Sequence, residues 1–174
     1  MSEVPAGFEP LTRVSPIAEL LGPFYAKGSG VELSLGLRVQ PKHTNLRGTV
    51  HGGVLATIAD MALGYTLAFA SHPPDRSPSA ASAGAQERPP DRSPSAASAG
   101  AQERPPVSLV TASLSIDYAG AAKIGDWLET RTDVQRQGNR TSFANCYIFV
   151  GDKRIVRASG VFLASDWSPS SQRV

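Results

Sequence analysis

Two periodicities divide this chain. Between residues 31 and 39, Leu33, Leu35, Leu37 and Val39 recur at every second position and predict a strand with one apolar face. From Gly52 to about Ala70 the run GGVLATIADMALGYTLAFA is apolar on every side, the signature of a helix enclosed by a core. The period of two returns at Val110, Ala112, Leu114, Ile116 and Tyr118, which alternate with Thr111, Ser113, Ser115 and Asp117. Three more strands follow: Trp127 to Val134, with Leu128 and Val134 inward; Ser142 to Val150, entered through a hairpin turn at Gln137-Gly138-Asn139-Arg140; and Ile155 to Ala164, after a turn at Gly151-Asp152-Lys153. A strand, a buried helix and then a run of antiparallel strands predict an α+β fold, a sheet wrapped around a single helix.

Outside these elements the sequence is less regular. Ser15 followed by Pro16 reads as the N-cap and first position of a short helix through Leu21, closed by Gly22-Pro23, and the residues before it are expected to be loose. Pro73 to Arg88 reads PPDRSPSAASAGAQER, and Pro89 to Arg104 repeats it letter for letter. Each copy is neutral and has no apolar period, so it cannot bury enough surface to offset the entropy of ordering. We read residues 73–106 as a disordered, duplicated insert. Residues 1–30 form an N-terminal segment, 31–72 and 107–166 a single domain, and 167–174 a tail.

Composition narrows the function classes. The 174 residues are 41% hydrophobic and carry a net charge of +2, enough apolar material for a real core and too little basic excess, too scattered, for nucleic acid. The single cysteine, Cys146, allows no intramolecular disulfide and suits a reducing cytoplasm; its place in an apolar strand predicts a packed side chain. Residues 1–7 show no basic run leading into an apolar stretch, unlike a secretory signal. The apolar run from Val54 to Ala70 is shorter than a typical membrane span and carries Asp60 near its centre, so no membrane association is expected. Three histidines and one cysteine offer no zinc spacing, and there is neither a phosphate-binding loop nor a dinucleotide fingerprint. No metal or cofactor is expected.

Asp60 is the residue that points to chemistry. A carboxylate inside an otherwise apolar helix is costly unless something pairs with it. The helix opens at His51-Gly52-Gly53, where first-turn N–H groups lack intrahelical partners and carry partial positive charge. Gly52 and Gly53 have no side chains to block an approaching carbonyl, so a developing oxyanion docked there would be stabilised by about 2.7–4 kcal/mol per donor. Asp60 lies eight residues beyond Gly52, roughly 12 Å along the axis. One small reacting group cannot touch both points of one helix.

The series Asn45, Gly48, His51-Gly52-Gly53, Asp60 and Gly64, followed by Tyr118 and Lys123-Ile124-Gly125-Asp126, resembles the hotdog-fold acyl-CoA thioesterases of the phenylacetate-pathway type and the small mammalian acyl-CoA thioesterase of the same group. The resemblance covers about Val31 to Leu163, omitting the insert. It implies a hotdog fold, a homodimer or dimer of dimers with active sites at the subunit interface, and hydrolysis of an acyl-CoA to carboxylic acid and free CoA. Carried over residue by residue, it makes Gly52 the oxyanion donor and Asp60 the nucleophile or general base. Asn45 would position the water or the carbonyl, His51 would orient the loop or contact the thioester, and Thr111 would hold water beside the carboxylate.

Some of these assignments compete with simpler readings. Strand alternation puts Thr111 on the polar face, away from the helix, unless twist brings it round. Asn45 also suits an ordinary turn, and His51 a residue satisfied by nearby backbone. Gly64, one turn beyond Asp60, suits close helix packing, while His43 and His72 read as loop residues without a role. Gly53, Lys123, Arg136, Asn139 and Arg140 are candidates for contacting the CoA portion, against the alternative of solvated turns. A non-catalytic acyl-CoA sensor and an acyl-thioester hydratase or dehydratase are the competing functions; the intact HGG turn and acid favour hydrolysis.

Overall fold

The computed structural model describes residues 3–70 and 108–165. Seven antiparallel strands form one sheet: β1 (Glu9–Pro10), β2 (Phe24–Lys27), β3 (Ser34–Arg38), β4 (Ser108–Tyr118), β5 (Trp127–Gln137), β6 (Thr141–Val150) and β7 (Lys153–Ser165). Their order across the sheet is β1-β2-β3-β5-β6-β7-β4. A short helix, α1 (Pro16–Leu21), precedes β2, and the long helix α2 (Gly52–Ala70) packs on the sheet. This is the expected α+β arrangement of a sheet and one long helix. The duplicated insert and the tail lie outside the described residues.

Helix α2 spans the expected residues. Leu55, Ile58, Ala59, Ala62, Leu63, Thr66 and Leu67 are buried against the sheet, together with Leu35, Leu37, Leu128, Ile148, Val156 and Phe162. Each large apolar side chain enclosed in this way contributes about 1.5–3 kcal/mol. Helix and sheet touch closely at Gly160, where an added Cβ would lie 2.8 Å from Leu63 Cδ1. By length and composition α2 would suffice to cross a membrane; its buried face instead supplies the centre of this core.

The structure corrects the sequence reading in several places. Asp60 is only half-buried, because α2 keeps one side, including Val54, Thr57, Asp60, Met61, Gly64 and Tyr65, partly open. The first predicted strand is shorter than expected: Gly30–Glu32 form a 3-10 turn, and pairing starts at Ser34. Its apolar face is as expected, with Leu33, Leu35, Leu37 and Val39 buried. The N-terminal segment is more ordered than expected. Ser15 caps α1, accepting from Ala18 N at 3.4 Å, and β1 and β2 add two strands to the sheet. Phe8 and Tyr25 there pack on Trp127 at ring-centroid distances of 5.1 and 5.6 Å. So short a strand carries too few residues for a visible period, and tertiary contacts form it.

Candidate active site

Strand β4 settles where Thr111 points. Its register against β7 pairs Thr111 with Phe162 and Ser113 with Val161, leaving Ala112 as the extra residue of a β-bulge. An extra residue reverses the alternation of side chains beyond it. Leu114, Ile116 and Tyr118 stand opposite Gly160, Ala158 and Val156 on the helix side, and Thr111, opposite Phe162, joins them. Val110 moves to the outer face and is 48% exposed. Thr111 Oγ1 then donates to Asp60 Oδ1 at 2.8 Å, while Asp60 Oδ2 has no hydrogen-bond partner among the described residues.

The start of α2 is built by a chain of backbone bonds. Thr44 and Val50 form a bridge that closes the loop around Asn45, and Thr49 bridges to Lys123. Asn45 Oδ1 accepts from Arg47 N at 2.8 Å, its Nδ2 donates to Thr49 Oγ1 at 3.1 Å, and Gly48 completes the turn at φ +72°. Much of the Asn45 side chain thus serves its own turn. The His51 carbonyl accepts from Val54 N and Leu55 N, and His51 Nδ1 accepts from Gly53 N at 2.9 Å. Of the first-turn amides, Gly52 N–H is left without a partner among the described residues. Because Nδ1 is an acceptor, the hydrogen of the neutral His51 ring sits on Nε2.

The two glycines have separate reasons to be small. A Cβ at Gly53 would lie 3.0 Å from His51 Nδ1 and push against the ring that its amide holds. A Cβ at Gly52 would meet Tyr118 at 3.3 Å, since the phenol lies over this position and donates to the Gly52 carbonyl at 3.0 Å. Tyr118 is therefore part of the turn's support. The sequence reading placed it in the family motif and gave it no role.

Most of the predicted site residues fall into three groups. Asn45, His51 and Gly52 line one open concavity of about 590 Å³ with Thr44, Leu46 and Arg47. Asp60 and Thr111 form a second group further along α2. Arg136, Asn139 and Arg140 line another concavity, of about 320 Å³, with Gly138, Thr141 and Phe143. That hairpin belongs to the far end of α2, where Gln137 Nε2 donates to the Leu67 carbonyl at 3.0 Å. Lys123 stands at the near end: its backbone pairs with Thr49, and its N–H is held by Asp126 Oδ2 at 2.7 Å.

Two residues outside the predicted set complete the picture. His43, read from sequence as a loop residue without a role, is fully buried beneath the turn. Burial is the main influence on its imidazole and pulls its pKa below the ordinary value. Cys146 is packed inside the sheet as expected, and burial raises its thiol to about 12, which leaves it without nucleophilic character near neutral pH. Among the described residues no group of His, Cys, Asp and Glu side chains is placed to hold a metal ion.

Residues 47–156 match the family described as "Thioesterase superfamily". The chain belongs to the thioesterase superfamily. It is also 37% identical, over 93% of its length and 98% of the relative's, to a Pseudomonas aeruginosa protein named "Putative esterase PA0474". The fold resembles that of the E. coli PaaI protein from the phenylacetic acid degradation operon, with a TM-score of 0.63 and 17% identity over 88% of this chain and 87% of that one. It also resembles smu.793 from Streptococcus mutans, solved bound to acetyl CoA, with a TM-score of 0.62 and 15% identity over 89% and 95% of the two chains. Superfamily membership and the esterase relative make this protein a thioester hydrolase, and the expected hotdog fold is the one these neighbours share.

Proposed function

We propose that this superfamily member hydrolyses acyl-CoA thioesters at a site shared by two copies of the chain, with Gly52 N–H of one protomer facing Asp60 of its partner. The carrying observation is the division of labour along α2. One amide at its start is unengaged, and the carboxylate tethered to Thr111 is eight residues further on, about 12 Å away along the axis. Among the described residues the eleven-residue strand β4 pairs with β7 alone, so its other edge is open to a second copy. A two-fold axis beside it would run the two α2 helices antiparallel and set the start of one against the middle of the other. It would also bring hairpin 138–140 of one chain towards the Gly52 end of its partner. CoA bound to the S. mutans neighbour supports the same ligand class here.

In this reading Asp60 takes a proton from water as the water oxygen bonds to the thioester carbon. The carbonyl oxygen becomes an oxyanion, accepts from Gly52 N–H, and is further stabilised by the α2 dipole. Collapse breaks the C–S bond, and the CoA thiolate takes up the proton, leaving a carboxylic acid. Asn45 and His51 border the carbonyl. Arg136 and Arg140, with Asn139 between them, supply guanidinium groups suited to the CoA phosphates, and Lys123 adds charge at the near end.

Subunit mixing tests this. Asp60→Asn should lower turnover by about 10²–10⁴. Gly52→Pro removes the amide at the first helical position, where proline is tolerated, with Tyr118 yielding a few tenths of an ångström. Each variant alone should be nearly inactive, whereas refolding the two together should restore about a quarter of wild-type activity, because mixed dimers hold one intact site. No recovery from mixed dimers would place both groups in separate, single-chain roles and overturn the proposal.

A further inference from the structure

The 3-10 turn Pro41–His43 sits between α1 and the start of α2, and both of its last two side chains reach back to α1. Lys42 Nζ donates to the carbonyls of Leu20, at 2.9 Å, and Gly22, at 2.6 Å. The fully buried His43 accepts at Nδ1 from Gln40 N, at 3.0 Å, so its ring hydrogen is on Nε2 and goes to the Leu21 carbonyl at 2.7 Å. The ring is thereby fixed at both nitrogens, one bond within its own turn and one across to the end of α1. The backbone of the same residue then holds the active-site turn: His43 O accepts from His51 N at 2.8 Å. His51 in turn provides the carbonyl that anchors Val54 and Leu55 and the Nδ1 that anchors Gly53.

From this connected path we infer that His43 is a positioning residue for the reaction, and that its doubly bonded imidazole aims the Gly52 amide through the His51 backbone. The inference rests on the reading of Gly52 as the oxyanion donor. The ring touches no reacting atom; it fixes where its own carbonyl sits, and the His51 amide follows that carbonyl. Lys42 provides the natural contrast. It ties the same end of α1 from the neighbouring position but makes no bond to the α2 turn, so it stabilises α1 without setting the amide.

A donor that acts on the oxyanion acts on the transition state, so its misplacement should appear in kcat and leave KM nearly unchanged. His43→Ala is expected to lower kcat for a short acyl-CoA by about 10–100-fold, measured well below its melting temperature. His43→Asn, which returns an acceptor for Gln40 N, should recover a large part of that loss. Lys42→Met should lower the melting temperature and keep kcat. Wild-type kcat in folded His43→Ala would overturn the inference, as would an equal fall in kcat for Lys42→Met, since α1 docking would then explain both.

Should His43→Ala not fold, nitrogen-15 NMR of the wild-type ring decides the case. A neutral ring protonated at Nε2 at pH 7 is required, and a ring protonated at Nδ1 overturns it. Failure of this inference is separable from failure of the site. If Asp60→Asn and Gly52→Pro are inactive while His43→Ala is fully active, only the positioning role falls. Full activity in Gly52→Pro would remove the site reading itself.

Discussion

Thr111 and Asp60 meet across a β-bulge: the hydroxyl donates to the carboxylate at 2.8 Å only because Ala112 is left out of the pairing with β7. The bond fixes one carboxylate oxygen and leaves the other for water. Thr111→Val should therefore lower turnover by about tenfold, the lower end for a hydrogen bond to a charged group because the pair is partly open to solvent. Deleting Ala112 should cost much less, because Thr111 and Ser113 already pair with the consecutive residues Phe162 and Val161, and closing the bulge leaves Thr111 on the helix side. Steady-state kinetics on the two variants checks this; an unchanged rate in Thr111→Val would remove Thr111 from the mechanism.

Oxygen labelling detects a nucleophilic Asp60 whose anhydride is opened at the Asp60 carbonyl. With Asp60 as general base, a single turnover in ¹⁸O water labels the carboxylic acid and leaves the protein unlabelled. With Asp60 as nucleophile, a mixed anhydride forms first, and water attacking it at the Asp60 carbonyl puts label into Asp60, whereas attack at the acyl carbon labels the acid alone. Mass spectrometry of the peptide carrying residues 52–70 is expected to show no incorporation.

His43 makes stability depend on pH in a definite direction. Burial, and to a smaller extent the Lys42 ammonium, lower its pKa in the folded protein, outweighing the bond to the Leu21 carbonyl. In the unfolded chain the group titrates near its ordinary value of 6.5. Above that pH both states are neutral there and the stabilisation is complete. Below it the unfolded chain takes a proton that the folded one refuses, so stability falls until the folded imidazole also protonates. Urea midpoints measured from pH 7.5 to 5 should decline for the wild type and decline less for His43→Asn.

Thr130 joins β5 to β3 where their regular pairing ends. Fully buried, its Oγ1 accepts from Leu35 N at 2.8 Å, and its carbonyl accepts from Ser34 Oγ at 2.5 Å. Thr130→Val keeps the shape but leaves the Leu35 amide without an acceptor. Chemical denaturation should show a loss of about 1–3 kcal/mol, with kinetics of the folded enzyme unchanged.

The amino-acid pattern determined by itself the extent of α2, the strands that follow it and the place of the HGG turn and Asp60 on one helix. These are local properties: period, turn chemistry and spacing along a single element. Tertiary structure decided the rest. The face on which Thr111 lies depends on a bulge fixed by pairing with β7, and nothing in the alternation of β4 marks Ala112 as the residue to be left out. Asp60 is half-exposed because the sheet covers only part of α2, and β1 and β2 form where aromatic contacts and neighbouring strands hold them. The weight on His43 comes from the carbonyl of Leu21 and the amide of His51, partners separated along the chain and brought together only by folding.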